Sequence, residues 1–123
     1  MNWTLDKSRP ICPQICELIC VAVANGEFKA GEKLLSVRDI ALLASVNPNT
    51  VQKSFEELER LGVIHSVRCS GWYVNQNTDA AKKELEFLRV RKTEEYLAAM
   101  SQLGCAPDEI VNLINEHLGG KNE

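Results

Sequence analysis

Asn49, Gln52, Lys53 and Glu56 carry the chemistry of base-edge recognition on one short stretch. The amides of Asn49 and Gln52 can each pair bidentately with adenine, and the Lys53 ammonium can meet a guanine edge or a phosphate oxygen. Thr50 adds a hydroxyl for phosphate and a methyl for thymine. These groups act together only if one helix holds them. Val51, Phe55 and Leu58 recur at helical spacing. At about 100° per residue, burying them turns the four polar side chains outward. The start of this helix is explicit: Asn47 can cap it, Pro48 fits the first helical position, and Val46 and Val51 can staple it. Gly62 closes it after Leu61. The unpaired N–H groups at its start also favour a phosphate oxygen.

A second helical pattern lies just upstream. Ser36 can cap it, with Asp39 placed to reach back as in a capping box and Leu35 and Ile40 placed to staple. Val37, Ile40, Ala41 and Ala44 form its buried stripe. Only the Ser45-Val46 turn separates the two helices, so they must cross at a large angle, as in a helix-turn-helix. Downstream, strands over Val63–Val67 and Trp72–Asn75 are joined by Arg68-Cys69-Ser70-Gly71, with Gly71 free to take φ > 0. Arg68 and Ser70 fall near the tip of this hairpin, where a wing touches phosphates or an adjacent minor groove.

The run VNPNTVQKSFEELERLG, with Gly26, Gly31, Leu34, Ser36, Arg38, Ala41, Gly71 and Val74 around it, resembles the GntR family of transcription regulators, specifically its short YtrA-like branch. The resemblance covers roughly residues 9–76. It implies that Arg38 contacts a phosphate and that Asn47, Asn49, Thr50 and Gln52 lie at the DNA surface. Ser36 and Gly71, which match the family pattern, are counted with the expected DNA-binding residues. The pattern departs at Ala30 and Leu35, where Pro is usual, and at Cys69, where Gly is usual.

Other elements must carry this motif. Residues 1–9 should be extended, anchored by Trp3 and Leu5, and a core helix should run from Pro10 to Asn25. Asn75-Gln76-Asn77 reads as a polar joint, with Thr78 or Asp79 capping a long helix to about Leu103. A last helix starts at Pro107 with acids in its first turn and stops at Gly119-Gly120. The expected fold is mostly α with a small β-hairpin wing: a winged helix-turn-helix over 1–77 and a two-helix tail over 78–123. Two helices cannot bury a wide apolar stripe alone. Leu85, Leu88, Tyr96, Leu97 and Met100 of the first, and Ile110, Leu113 and Ile114 of the second, therefore suit a homodimer seam. The resemblance agrees, since the YtrA-like branch dimerises through two such helices. Any small-molecule effector site would be small, between these helices or at the seam.

Composition sets limits. The formal charge is −3 over 123 residues. Residues 1–77 hold eight basic and eight acidic side chains, so specific placement of Arg38, Lys53 and Arg68 must replace a general positive field. The chain has no apolar run of transmembrane length and its first residues lack a signal-peptide pattern, which points to the cytoplasm and to no membrane partner. In that compartment the five cysteines read as reduced thiols. Cys12, Cys16 and Cys20 lie four apart on one helix stripe, a spacing that suits packing better than zinc. No cofactor or metal is expected. His65 and His117 belong to no catalytic motif, so an enzyme is not expected. The leading reading is a dimeric, sequence-specific repressor of a double-stranded DNA operator, with the resemblance suggesting a transporter operon. The alternatives are a winged-helix protein-interaction module without DNA binding and a thiol- or metal-responsive sensor.

Overall fold

Phe55 is the pivot of the fold: it is fully buried, and the ring of Trp72 meets it edge-on at 5.3 Å. The elements around it, in a computed structural model that describes residues 1–119, are α1 (Ile11–Ala24), α2 (Val37–Ala44), α3 (Pro48–Leu61), β1 (Ile64–Val67), β2 (Gly71–Val74), α4 (Asp79–Gln102) and α5 (Pro107–His117). The chain forms two compact units, Met1–Glu86 and the residues from Phe87 onward, dividing inside α4. Among the described residues, no helix is long and apolar enough to cross a membrane.

In the first unit α3 is central. Its Val51, Phe55 and Leu58 are buried against Ile15 and Ile19 of α1, Ile40 of α2, and Ile64 and Val74 of the hairpin. Trp3 is buried in the same core and Leu5 packs against it, as expected of the N-terminal anchors. Apolar periodicity did not disclose Ser54, which is also fully buried. Its hydroxyl donates to Thr50 O at 2.8 Å within α3, and Cys16 Sγ of α1 donates to Ser54 O at 3.5 Å. A small, self-satisfied hydroxyl lets the two helices approach without an orphaned polar group.

The hairpin is antiparallel, with Ile64 opposite Val74 and Val67 opposite Gly71. The strands therefore start one residue later and one earlier than the sequence suggests. Gly71 is the first residue of β2, not part of the turn, and the loop is Arg68-Cys69-Ser70. The reason is Cys69, which takes the left-handed conformation itself, at φ 63°, while Ser70 N–H donates to Val67 O at 2.9 Å. That position of a turn normally needs glycine, and a side chain there costs about 1–2 kcal/mol. Glycine's greater freedom in the unfolded chain offsets part of this. Cys69→Gly should thus stabilise the protein by about 0.5–1 kcal/mol in urea unfolding. An unchanged or lowered midpoint would show that the turn is not strained.

Asn75, expected as part of a polar joint, is a clasp. Its side-chain Nδ2 donates to Gly62 O at 2.7 Å, its side-chain Oδ1 meets His65 Nδ1 at 2.6 Å, and its backbone N–H donates to Val63 O at 3.1 Å. With the amide fixed by Gly62, Nδ1 of His65 must carry the hydrogen. His65 is thereby a structural residue that ties the hairpin to the end of α3.

At the start of α4, Asn77 rather than Thr78 or Asp79 supplies the side-chain oxygen, accepting from Asp79 N–H at 2.8 Å. In the second unit, Gly104 takes φ 79° just after α4. Pro107 occupies the first turn of α5, and the Glu109 carboxylate accepts from Ala106 N–H at 2.7 Å. Gly119 follows α5 at φ 78°, whereas Gly120 lies outside the described residues.

Candidate nucleic-acid interface

The interface is built from caps. Ser36 Oγ accepts from Asp39 N–H at 3.0 Å and starts α2, although the return bond from the Asp39 carboxylate is not formed among the described residues. At the other end Ser45 adopts φ 57°, and Val46 N–H donates to Ala41 O at 3.0 Å. This left-handed residue swings the chain into α3 within the turn read from the sequence. Lys7 Nζ donates to Ser45 O at 3.2 Å and pins the N-terminal segment to the same turn. Asn47 Oδ1 accepts from Asn49 N–H at 2.7 Å. The cap oxygen of Asn47 is thus occupied, and its amide hydrogens remain for a ligand.

The outer face of α3 follows the helical spacing for three of its four polar residues, and Gln52 falls at its edge. Asn49, Lys53 and Glu56 are exposed, while Thr50 and Gln52 are half-buried. Gln52 Nε2 donates to Glu56 Oε2 at 3.0 Å, one turn along. That bond uses one amide hydrogen and leaves the other, with the carbonyl oxygen, free for an adenine edge. Arg38 stands exposed in the first turn of α2. Arg68 and Ser70 are exposed at the hairpin tip, where the Ser70 hydroxyl hydrogen-bonds to the Tyr73 hydroxyl. Gly71 is half-buried beside them.

The cations of this surface are available. Among the described residues, Arg38, Lys53 and Arg68 form no ion pair, whereas Arg9 pairs with Asp6, Arg60 with Glu57 and the N-terminal ammonium with Glu27. The hydrogen bond from Arg60 holds the Glu57 carboxyl below its usual range, so that pair is internally satisfied.

Of the cysteines, Cys69 lies on this surface, exposed between Arg68 and Ser70, while Cys12, Cys16 and Cys20 belong to α1. All five are free thiols. Burial, reinforced by Cys12, pushes the Cys16 thiol far above its usual range, and burial pushes Cys20 up to about 12. Both are protonated at neutral pH, the unreactive form for metal binding or nucleophilic attack. This favours packing over sensing.

In the tail, the eight residues read as a dimer seam divide. Leu88 and Ile110 are buried within the single chain, Leu85, Met100 and Leu113 are half-buried, and Tyr96, Leu97 and Ile114 are exposed. Tyr96, Met100, Leu113, Ile114, His117 and Leu118 line a cleft of about 350 Å³ between α4 and α5.

Comparison with known proteins places this architecture. Residues 13–74 match the bacterial regulatory proteins of the gntR family. The uncharacterized HTH-type transcriptional regulator YhcF of Bacillus subtilis is 30% identical over 120 residues, which is 98% of this chain and 99% of that protein. The HTH-type transcriptional repressor YtrA of the same organism is 36% identical over 85 residues, 69% of this chain and 65% of that one. A GntR family transcriptional regulator from Listeria monocytogenes superposes with a TM-score of 0.80 at 33% identity, covering 91% of this chain and 98% of the other. The winged helix-turn-helix and the two-helix tail are thus shared with the Listeria regulator along nearly the whole chain, and the protein belongs to the GntR family, as a DNA-binding transcription regulator close to its short YhcF and YtrA members.

Proposed function

We propose that the protein is a homodimeric, sequence-specific repressor in which residues 1–77 read an operator half-site and residues 78–123 join two copies. The observation that carries this reading is the outer face of α3. Asn49, Gln52 and Lys53 stand there with ligand-facing groups unspent, flanked by the unpaired cations Arg38 and Arg68. Side chains near the start of such a helix reach base edges, and cations on either side set its register on the phosphates. Ser36, Asn47, Thr50, Ser70 and Gly71 complete the proposed DNA-facing set.

The homodimer is supported by the tail. Leu97, Val111, Leu103 and Leu118 are 44%, 56%, 79% and 80% exposed in the single chain. Exposed apolar surface on that scale calls for a partner, and a second copy also matches the two-fold symmetry of typical operators. Repression is supported by the likeness to the repressor YtrA. The family resemblance extends this to a transporter operon, and the cleft between α4 and α5 is the place for a small effector.

The test uses duplexes selected by the wild-type protein, with scrambled duplexes alongside. Arg38→Ala should weaken binding to both equally. Gln52→Ala should lose about 1–3 kcal/mol of discrimination at particular base pairs. If Gln52→Ala weakened cognate and scrambled DNA alike, its base-reading role would be refuted.

A further inference from the structure

A third extended segment completes the wing. Gly31–Leu34 lies antiparallel along β2: Gly31 N–H donates to Val74 O at 3.0 Å, Val74 N–H to Glu32 O at 2.8 Å and Leu34 N–H to Trp72 O at 2.8 Å, with Lys33 opposite Tyr73. Side chains directly opposite in such a pairing share a face, and successive residues alternate between faces. Leu34 is buried and Trp72 packs on Phe55, so these two point inward. Lys33 and Tyr73 therefore share the outer face. His65 lies opposite Tyr73 on β1, their rings stacked at 6.1 Å. A row of Lys33, Tyr73 and His65 thus crosses the wing.

Gly71 makes room for the first member of this row. A Cβ at Gly71 would lie 3.2 Å from Lys33 Cε and 3.9 Å from Lys33 Nζ. The missing side chain is a slot in which the lysine stem rests, with its ammonium beside the hairpin turn. Lys33 is exposed and forms no ion pair among the described residues. The adjacent Glu32 forms no ion pair with it; the Glu32 carboxylate turns instead to Lys29 N–H, from which it accepts at 2.7 Å. A lysine whose stem is supported while its head stays in water loses little freedom on meeting an anion.

We infer that Lys33 is a DNA-phosphate contact of the wing, a second cation beside Arg68, and that Gly71 seats it. The inference rests on the reading of the wing as a DNA-facing element. Three variants, Lys33→Gln, Lys33→Arg and Arg68→Gln, are compared with wild type on the selected and scrambled duplexes between about 50 and 200 mM salt. Lys29→Gln serves as a surface-charge control, and thermal melting confirms each fold. Lys33→Gln should weaken both duplexes equally and flatten the log–log salt slope by about 0.9, while Lys33→Arg and Lys29→Gln keep the wild-type slope. A wild-type slope for Lys33→Gln, with a flattened one for Arg68→Gln, would leave the wing on DNA and remove Lys33 from it. Wild-type slopes for both would take the whole wing off the DNA. Loss confined to the selected duplex would make Lys33 a base reader and overturn the phosphate assignment.

Discussion

Phe55→Ala is expected to cost about 3–5 kcal/mol of unfolding free energy, the range for emptying a buried aromatic site. Phe55 is fully buried and is the one aromatic side chain of α3. Alanine would remove its apolar surface, leave a cavity among Ile15, Ile19, Ile40 and Leu58, and delete the edge-on partner of Trp72. Small domains have total stabilities of about 5–15 kcal/mol, so this one change consumes a large part of the margin. The loss also reaches function. α3 carries Asn49 and Lys53 away from Phe55 and the half-buried Gln52 on its flank, and Trp72 belongs to β2 of the wing. Urea unfolding measures the effect directly. A loss under about 1 kcal/mol would mean that the core collapses around the gap and that Phe55 is not the pivot described.

The helix-turn-helix was legible because its rules are local. A cap bonds two or three residues away, as Ser36 does to Asp39 and Asn47 to Asn49. The stripe Val51, Phe55, Leu58 repeats within one helix. What escaped is non-local. Asn75 clasps Gly62, thirteen residues away, and nothing near Asn75 announces it. Gly31–Leu34 carries no strand signal of its own because its partner is β2, some forty residues on. The wing boundaries slipped by one residue because Cys69, and not a glycine, takes the left-handed position in the turn. Ser54 carries no signal in the sequence, because a serine that donates back into its own helix has no pattern. In the tail, periodicity marks apolar positions but not what covers each. Leu88 and Ile110 are buried in one chain, while Leu97 and Ile114 on the same helices are not.

Ile114→Asp is expected to convert the protein to a monomer and to lower its affinity for a two-half-site duplex by about 10²–10⁴-fold, the gain that linking two binding modules supplies. Ile114 is 40% exposed on α5 and lines the cleft with Tyr96 and Met100. A carboxylate there would have to be buried unpaired on association, which is costly. Val111→Asp, at a position 56% exposed, provides a second disruption with less risk to α5 itself. Sedimentation reads the mass, and circular dichroism checks that the helices persist. Dimers of wild-type stability in both folded variants would show that the second copy docks elsewhere.

The central claim is that two copies of α3 read two half-sites of one duplex. Selection of bound DNA from a random pool by the wild-type protein, at low and physiological salt, tests it most directly. The account expects enrichment of a site with two-fold symmetry, its half-sites about 10 base pairs or a whole multiple of a turn apart. Enrichment should persist at the higher salt, because a reading domain with balanced charge draws little on general attraction to phosphate. A pool that stays random at both salts, or a single enriched half-site bound by one chain, would contradict it.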